Sequence, residues 1–133
     1  MHLLLTKFFV MLFMLFLLTD MSYARDYRAR KKTPNYIVEM SIDRNPPIVA
    51  KNKLALEIKD NGGRNVTDAA VLINYYMPPM PGMPPMNYTN SAQLSGNKYV
   101  ITMDIIMSGP WNIVVKITKL GKTDTARFAI DVR

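Results

Sequence analysis

Residues 111–132 read WNIVVKITKLGKTDTARFAIDV. Trp111, Ile113, Val115 and Ile117 take every second position. Ala126, Phe128, Ile130 and Val132 do the same, with Arg127, Ala129 and Asp131 between them. Successive side chains of a strand point to opposite faces, so a spacing of two gives each segment one apolar face and marks a half-buried strand. Leu120-Gly121-Lys122 supplies the turn between the two, since glycine tolerates the positive φ that a tight turn needs. The same alternation recurs upstream, at Tyr36, Val38, Met40 and Ile42, at Leu54, Leu56 and Ile58, and at Tyr99, Ile101 and Met103. Residues 69–77 (AAVLINYYM) are nearly apolar on both faces, and residues 88–94 form a weaker strand. Asp60-Asn61-Gly62-Gly63, Ser95-Gly96-Asn97 and Gly109-Pro110 punctuate the runs. No segment beyond residue 36 keeps a helical period for three turns. Strands that each hide one face need a second sheet to hide it against. The expected fold is therefore all-β: a single immunoglobulin-like antiparallel β-sandwich of about seven strands over residues 36–133. Trp111 and Phe128 are expected in its core.

The segment before that domain has a different character. Residues 8–18 (FFVMLFMLFLL) are uninterruptedly apolar, His2 and Lys7 precede them, and Ser22-Tyr23-Ala24 places small residues at the −3 and −1 positions of a cleavage site. Such a run spans only about 16 Å as a helix, against a bilayer core of about 30 Å. Residues 1–24 read as a secretory signal peptide cleaved after Ala24, which puts the product in the periplasm or outside the cell; the competing reading is an uncleaved anchor. Residues 25–32 (RDYRARKK) carry five basic residues and one acidic, a large part of the formal net charge of +7. Residues 25–35 are expected to be a basic flexible tail, with attraction to anionic headgroups or an acidic partner as its alternative role. Charge held in a tail of an exported chain argues against nucleic acid. A membrane would be met only through an uncleaved signal segment or through this tail.

The chain has no cysteine, and its one histidine, His2, lies in the segment expected to be removed. That excludes a disulfide scaffold, thiolate ligands and histidine-based catalysis. Ser41, Ser91, Ser95 and Ser108 have no histidine to activate them. Glu39, Glu57, Asp104 and Asp131 stand singly at outward or turn positions. No enzyme is expected.

Methionine is the exception to this plain inventory: the chain has eleven, and four fall in residues 77–86, MPPMPGMPPM. Two identical MPPM arms flank Pro81-Gly82. Proline fixes φ and biases its predecessor toward extended backbone, so each arm is expected to be a stiff polyproline-II segment. Kept straight, the rod would spread its four sulfurs over nearly 28 Å. Pro81-Gly82 is, however, the i+1/i+2 pair of a type II turn, which folds Met80 toward Met83 and Met77 toward Met86. Four thioethers then face one another from stiff arms. Thioethers are soft, neutral ligands that select Cu(I) or Ag(I) over harder ions, so Met77, Met80, Met83 and Met86 are the candidate metal ligands and Cu(I) the candidate ion. Two other readings of the same residues stand beside this one. The loop can serve as an adaptable, greasy contact for a protein partner, or as a cap over the core. In an up-and-down arrangement Met107 and Trp111 fall at the same end of the sandwich as this loop. Tyr75, Tyr76 and Tyr88 flank it in sequence.

Residues 77–86, followed by Gly96-x-x-Tyr99, Met107-Ser-Gly-Pro-Trp111 and Gly121-Lys122, resemble the YtkA-like domain family, which is related to FixH-type proteins. The likeness runs over residues 48–132. It implies an immunoglobulin-like sandwich outside the cytoplasm, in the company of heavy-metal efflux or copper-oxidase assembly systems. In that setting the alternative function is an accessory or docking module of an envelope complex.

Overall fold

The computed structural model of the chain describes residues 6–7 and 26–133, so all of the expected signal peptide except Thr6 and Lys7 lies outside the described residues. Nine strands make up the domain: β1 (Tyr27–Lys32), β2 (Tyr36–Ile42), β3 (Lys51–Asp60), β4 (Ala70–Tyr76), β5 (Asn87–Ser91), β6 (Gln93–Ser95), β7 (Lys98–Asp104), β8 (Gly109–Lys119) and β9 (Lys122–Val132). They form two antiparallel sheets, ordered β1-β2-β3-β7-β6 and β5-β4-β8-β9. Counted from β2, this follows the immunoglobulin arrangement, with A-B-E-D strands in one sheet and C-F-G strands plus a C′-like edge in the other. The all-β sandwich expected from the alternation is the observed fold.

The two extra strands have separate causes. Residues 27–32, expected to be part of a flexible tail, are instead the edge strand β1, paired with β2 from Tyr27↔Ile42 to Lys32↔Ile37. Tyr27 and Ala29 pack against the core, while Arg28 reaches Glu39 at 3.6 Å. Alternation is present in this stretch, but its cations dominate the composition. Charge on an edge strand also keeps it from pairing with a foreign sheet. The second difference is at residues 88–94, which divide between the sheets: β5 pairs with β4, and β6 pairs with β7. Ala92 is the crossing point, and its N–H donates to Val71 C=O at 2.9 Å. A period of two reports which face a residue occupies and not which sheet, so this crossing leaves no trace in the pattern.

The core lies between the sheets. Val38, Met40, Ile42, Leu54, Leu56 and Ile58 from one sheet face Ile73, Tyr75, Ile113, Val115 and Ile117 from the other. Trp111 and Phe128 are buried, as expected. Tyr99 of β7 is buried as well; its hydroxyl donates to Val66 C=O at 2.9 Å and accepts from Ala69 N–H at 3.2 Å, which fastens the β3–β4 connection across one end.

At that same end a buried carboxylate joins the sheets. Asp124 of β9 accepts from Thr33 Oγ1 at 2.8 Å, from Asn35 N–H at 2.9 Å and from the Asn35 amide at 3.0 Å, and so holds the β1–β2 turn. Burial alone would push this carboxyl up, but the hydrogen bonds from Asn35 and Thr33 outweigh it, and the group titrates below its ordinary 3.8. A carboxylate depressed by folding contributes stability that is in place above the unfolded value and disappears as pH falls through the folded one. The expected result is that Asp124→Asn lowers stability at pH 7, and that the gap to the parent protein narrows below about pH 4. Urea unfolding from pH 7 to pH 2 measures both curves.

Candidate methionine cleft

The loop at the opposite end grows directly out of a β-hairpin. β4 and β5 pair up to Tyr76↔Asn87. Beyond this pair Met77 N–H donates to Met86 C=O at 3.1 Å, and at the tip Met83 N–H donates to Met80 C=O at 3.2 Å. Gly82 has φ +79°, the value at i+2 of a type II turn with proline at i+1. The fold-back expected at Pro81-Gly82 is thus present, with Met77 opposite Met86 and Met80 opposite Met83. Between these rungs Pro78-Pro79 and Pro84-Pro85 hold the arms stiff. All four methionines line one cleft of about 400 Å³, closed at its base by Tyr76 and Asn87. They are graded in exposure: Met77 is buried, Met83 and Met86 are half-buried, and Met80 is 40% exposed. The cleft therefore runs from the core outward to solvent.

Its inner end is packed from the β7–β8 connection. Trp111 Nε1–H donates to Met107 C=O at 2.9 Å, fixing that connection, and Met107 packs against the core. The Trp111 ring lies 6.1 Å from Tyr75 and 6.4 Å from Tyr88, which themselves stack at 5.2 Å. These rings stand on the two strands that lead into and out of the loop. Met107 and Trp111 thus share its end of the sandwich, as the strand order implied. Burial also pushes the Tyr75 phenol above its ordinary range. Tyr76 points the other way and lines the cleft.

Gly109 does more than turn the chain into β8. Its φ is +121°, and a Cβ added there would come within 3.1 Å of the Met77 methyl. Gly109→Ala is expected to cost about 1–3 kcal/mol through a backbone conformation that L residues rarely adopt, and to push Met77 out of place. Chemical denaturation measures the first effect. The methyl resonance of Met77 in a ¹H–¹³C spectrum reports the second.

No histidine, cysteine or carboxylate lines the cleft, whose oxygen-bearing side chains are those of Tyr76 and Asn87. Among the described residues no group of three His, Cys, Asp or Glu side chains could hold a metal ion. Glu39 and Glu57 do meet, directly opposite each other on β2 and β3, but each has a cation: Arg28 at 3.6 Å and Lys59 at 3.3 Å.

Residues 30–116 match the YtkA-like family. The chain belongs to that family. The match begins within β1 and ends within β8, so the methionine loop, Gly109 and Trp111 all lie inside the YtkA-like region while β9 lies beyond it. Among curated proteins none matches the sequence. Among solved structures, this YtkA-like chain is similar to the crystal structure of the PmoD soluble domain from Methylocystis sp. ATCC 49242 (Rockwell), with a TM-score of 0.58 and 12% identity over 78% of this chain and 96% of that one. At such identity the likeness speaks for the sandwich fold alone.

Proposed function

We propose that this YtkA-like domain works outside the cytoplasm as a non-enzymatic carrier of a soft monovalent metal, Cu(I) or Ag(I), taken as cargo by Met77, Met80, Met83 and Met86. One observation carries the reading: four thioethers from two proline-stiffened arms line a single cleft that opens to solvent. Sulfur of this kind suits Cu(I) and Ag(I) and disfavours Zn(II), Mg(II) and Ca(II). A thioether carries no proton to lose, so binding through it releases none, unlike binding to thiolate or imidazole. The buried Met77 fixes the inner end, and the exposed Met80 is the donor an incoming partner reaches first. Such a site suits exchange. The signal-like residues 1–24 and the YtkA-like membership support a periplasmic or secreted setting.

Anaerobic titration of the isolated protein with Cu(I) against a chromophoric competitor, with Trp111 fluorescence followed in parallel, tests the reading. A saturating site that displaces the competitor is the expected result. Absence of competition at micromolar protein overturns it.

A second reading is favoured by a separate observation. Met80, Ile106 and Val49 are exposed at this one end of the sandwich, 40%, 56% and 45% respectively. Main-chain bonds from Ile105 to Ala50 and from Val49 to Arg133 draw the loops of Ile106 and Val49 together. An apolar rim of this kind suits an accessory module that docks on an envelope complex for metal efflux or oxidase assembly.

A further inference from the structure

The outward face of the β5-β4-β8-β9 sheet carries a groove of about 450 Å³ that the methionine reading does not use. Register aligns Thr89, Asn74, Val114 and Arg127 in one row across the four strands, a span of about 14 Å at the usual strand spacing. Lys116 lies diagonally beside Arg127, opposite Thr125 on β9. Outward positions of such a sheet normally face water, yet Val114 is only 6% exposed and floors the groove, with Leu72 beside it.

The polar groups around this floor are unbalanced. Neither Lys116 nor Arg127 forms an ion pair among the described residues, and no carboxylate lines the groove. On the far side the Asn74 amide is already committed as a donor, to Asn87 Oδ1, to Tyr88 C=O at 3.0 Å and to Thr89 Oγ1 at 3.2 Å. That arrangement leaves the Asn87 NH₂ and the Thr89 hydroxyl hydrogen to donate outward. Two cations at one end, neutral donors at the other and an apolar floor between them describe a complement with one sign.

We propose that this groove binds an elongated organic anion. Its carboxylate sits at Lys116 and Arg127, its apolar body covers Val114 and Leu72, and an acceptor at its far end meets Asn87 and Thr89. Bidentate pairing with Arg127 would orient the head group. This site shares Tyr76 and Asn87 with the wall of the methionine cleft but uses none of the four methionines, and its test is made without metal.

Octanedioate, a linear dicarboxylate of suitable length, is titrated at constant ionic strength into ¹⁵N,¹³C-labelled protein isolated from an exporting host. Saturating shifts confined to the groove are expected, at the Asn74 and Asn87 side-chain amides, the Val114 and Leu72 methyls and the Arg127 Nε–H. The Lys116→Gln/Arg127→Gln variant should bind at least tenfold more weakly. A Lys98→Gln/Lys122→Gln variant, which removes two exposed cations elsewhere, should bind like the parent. Shifts that never saturate, that spread over all surface lysines, or that persist unchanged in the Lys116/Arg127 variant overturn the proposal. Replacing Met77, Met80, Met83 and Met86 by leucine should leave octanedioate binding intact, so failure of either reading is seen separately.

Discussion

Leucine at all four positions 77, 80, 83 and 86 is expected to reduce Cu(I) or Ag(I) affinity at least 100-fold, about 2.8 kcal/mol, while the domain stays folded. The substitution keeps side-chain size and apolarity and removes only the sulfur donor. Volume-conserving apolar exchanges of this type usually cost less than about 1.5 kcal/mol where the residue is buried. Met77 alone among the four is buried, so the penalty to stability falls largely on one position. Thermal unfolding and competitor titration on the same sample separate the two effects. Retained metal affinity would remove the thioethers as ligands. Capture of a protein partner that survives the leucine exchange would favour docking, because the greasy surface is unchanged. Truncation to alanine asks a different question: at Met77 it is expected to cost about 2–5 kcal/mol, since the methyl packs against Gly109 and leaves a cavity when removed.

How much of this was readable before the structure depends on the kind of information each feature carries. Strands β8 and β9 were plain because their inward residues, from Trp111 to Ile117 and from Ala126 to Val132, alternate without a break. The fold-back at Pro81-Gly82 was legible for a local reason as well: proline and glycine set φ by themselves, and Gly82 takes the expected positive value. β1 was hidden because its cations look like a solvated tail, and what orders it is remote in sequence, the β2 ladder and the Asp124 bracket 91 residues away from Thr33. Gly109 was hidden for the same reason. Its fit against Met77 depends on two loops meeting, which neither segment encodes alone. The groove around Val114 is a cross-strand property of four strands and has no signature in any one of them.

Trp111→Ala is expected to be the most damaging single change, because that side chain is buried in the core and also packs against the two tyrosines that flank the methionine loop. The ring is 1% exposed, and deleting a buried tryptophan costs about 3–5 kcal/mol. In a domain of this size each kcal/mol moves Tm by roughly 4 °C or more, so the midpoint should drop by more than about 12 °C. The same change withdraws the surface against which Tyr75 and Tyr88 rest, and it frees Met107 C=O from the indole N–H. Since Tyr75 and Tyr88 stand two residues from Met77 and Met86 respectively, metal affinity should fall with stability even though no ligand is altered. Trp111→Phe tells packing from hydrogen bonding. It refills most of the volume and leaves the Met107 carbonyl without its donor, a loss of about 1 kcal/mol at a half-buried position that water can reach. If the phenylalanine variant keeps parental metal affinity while the alanine variant loses it, the aromatic stack positions the cleft. If both lose it equally, the tie from the indole to the β7–β8 connection is what holds the inner end of the cleft in place.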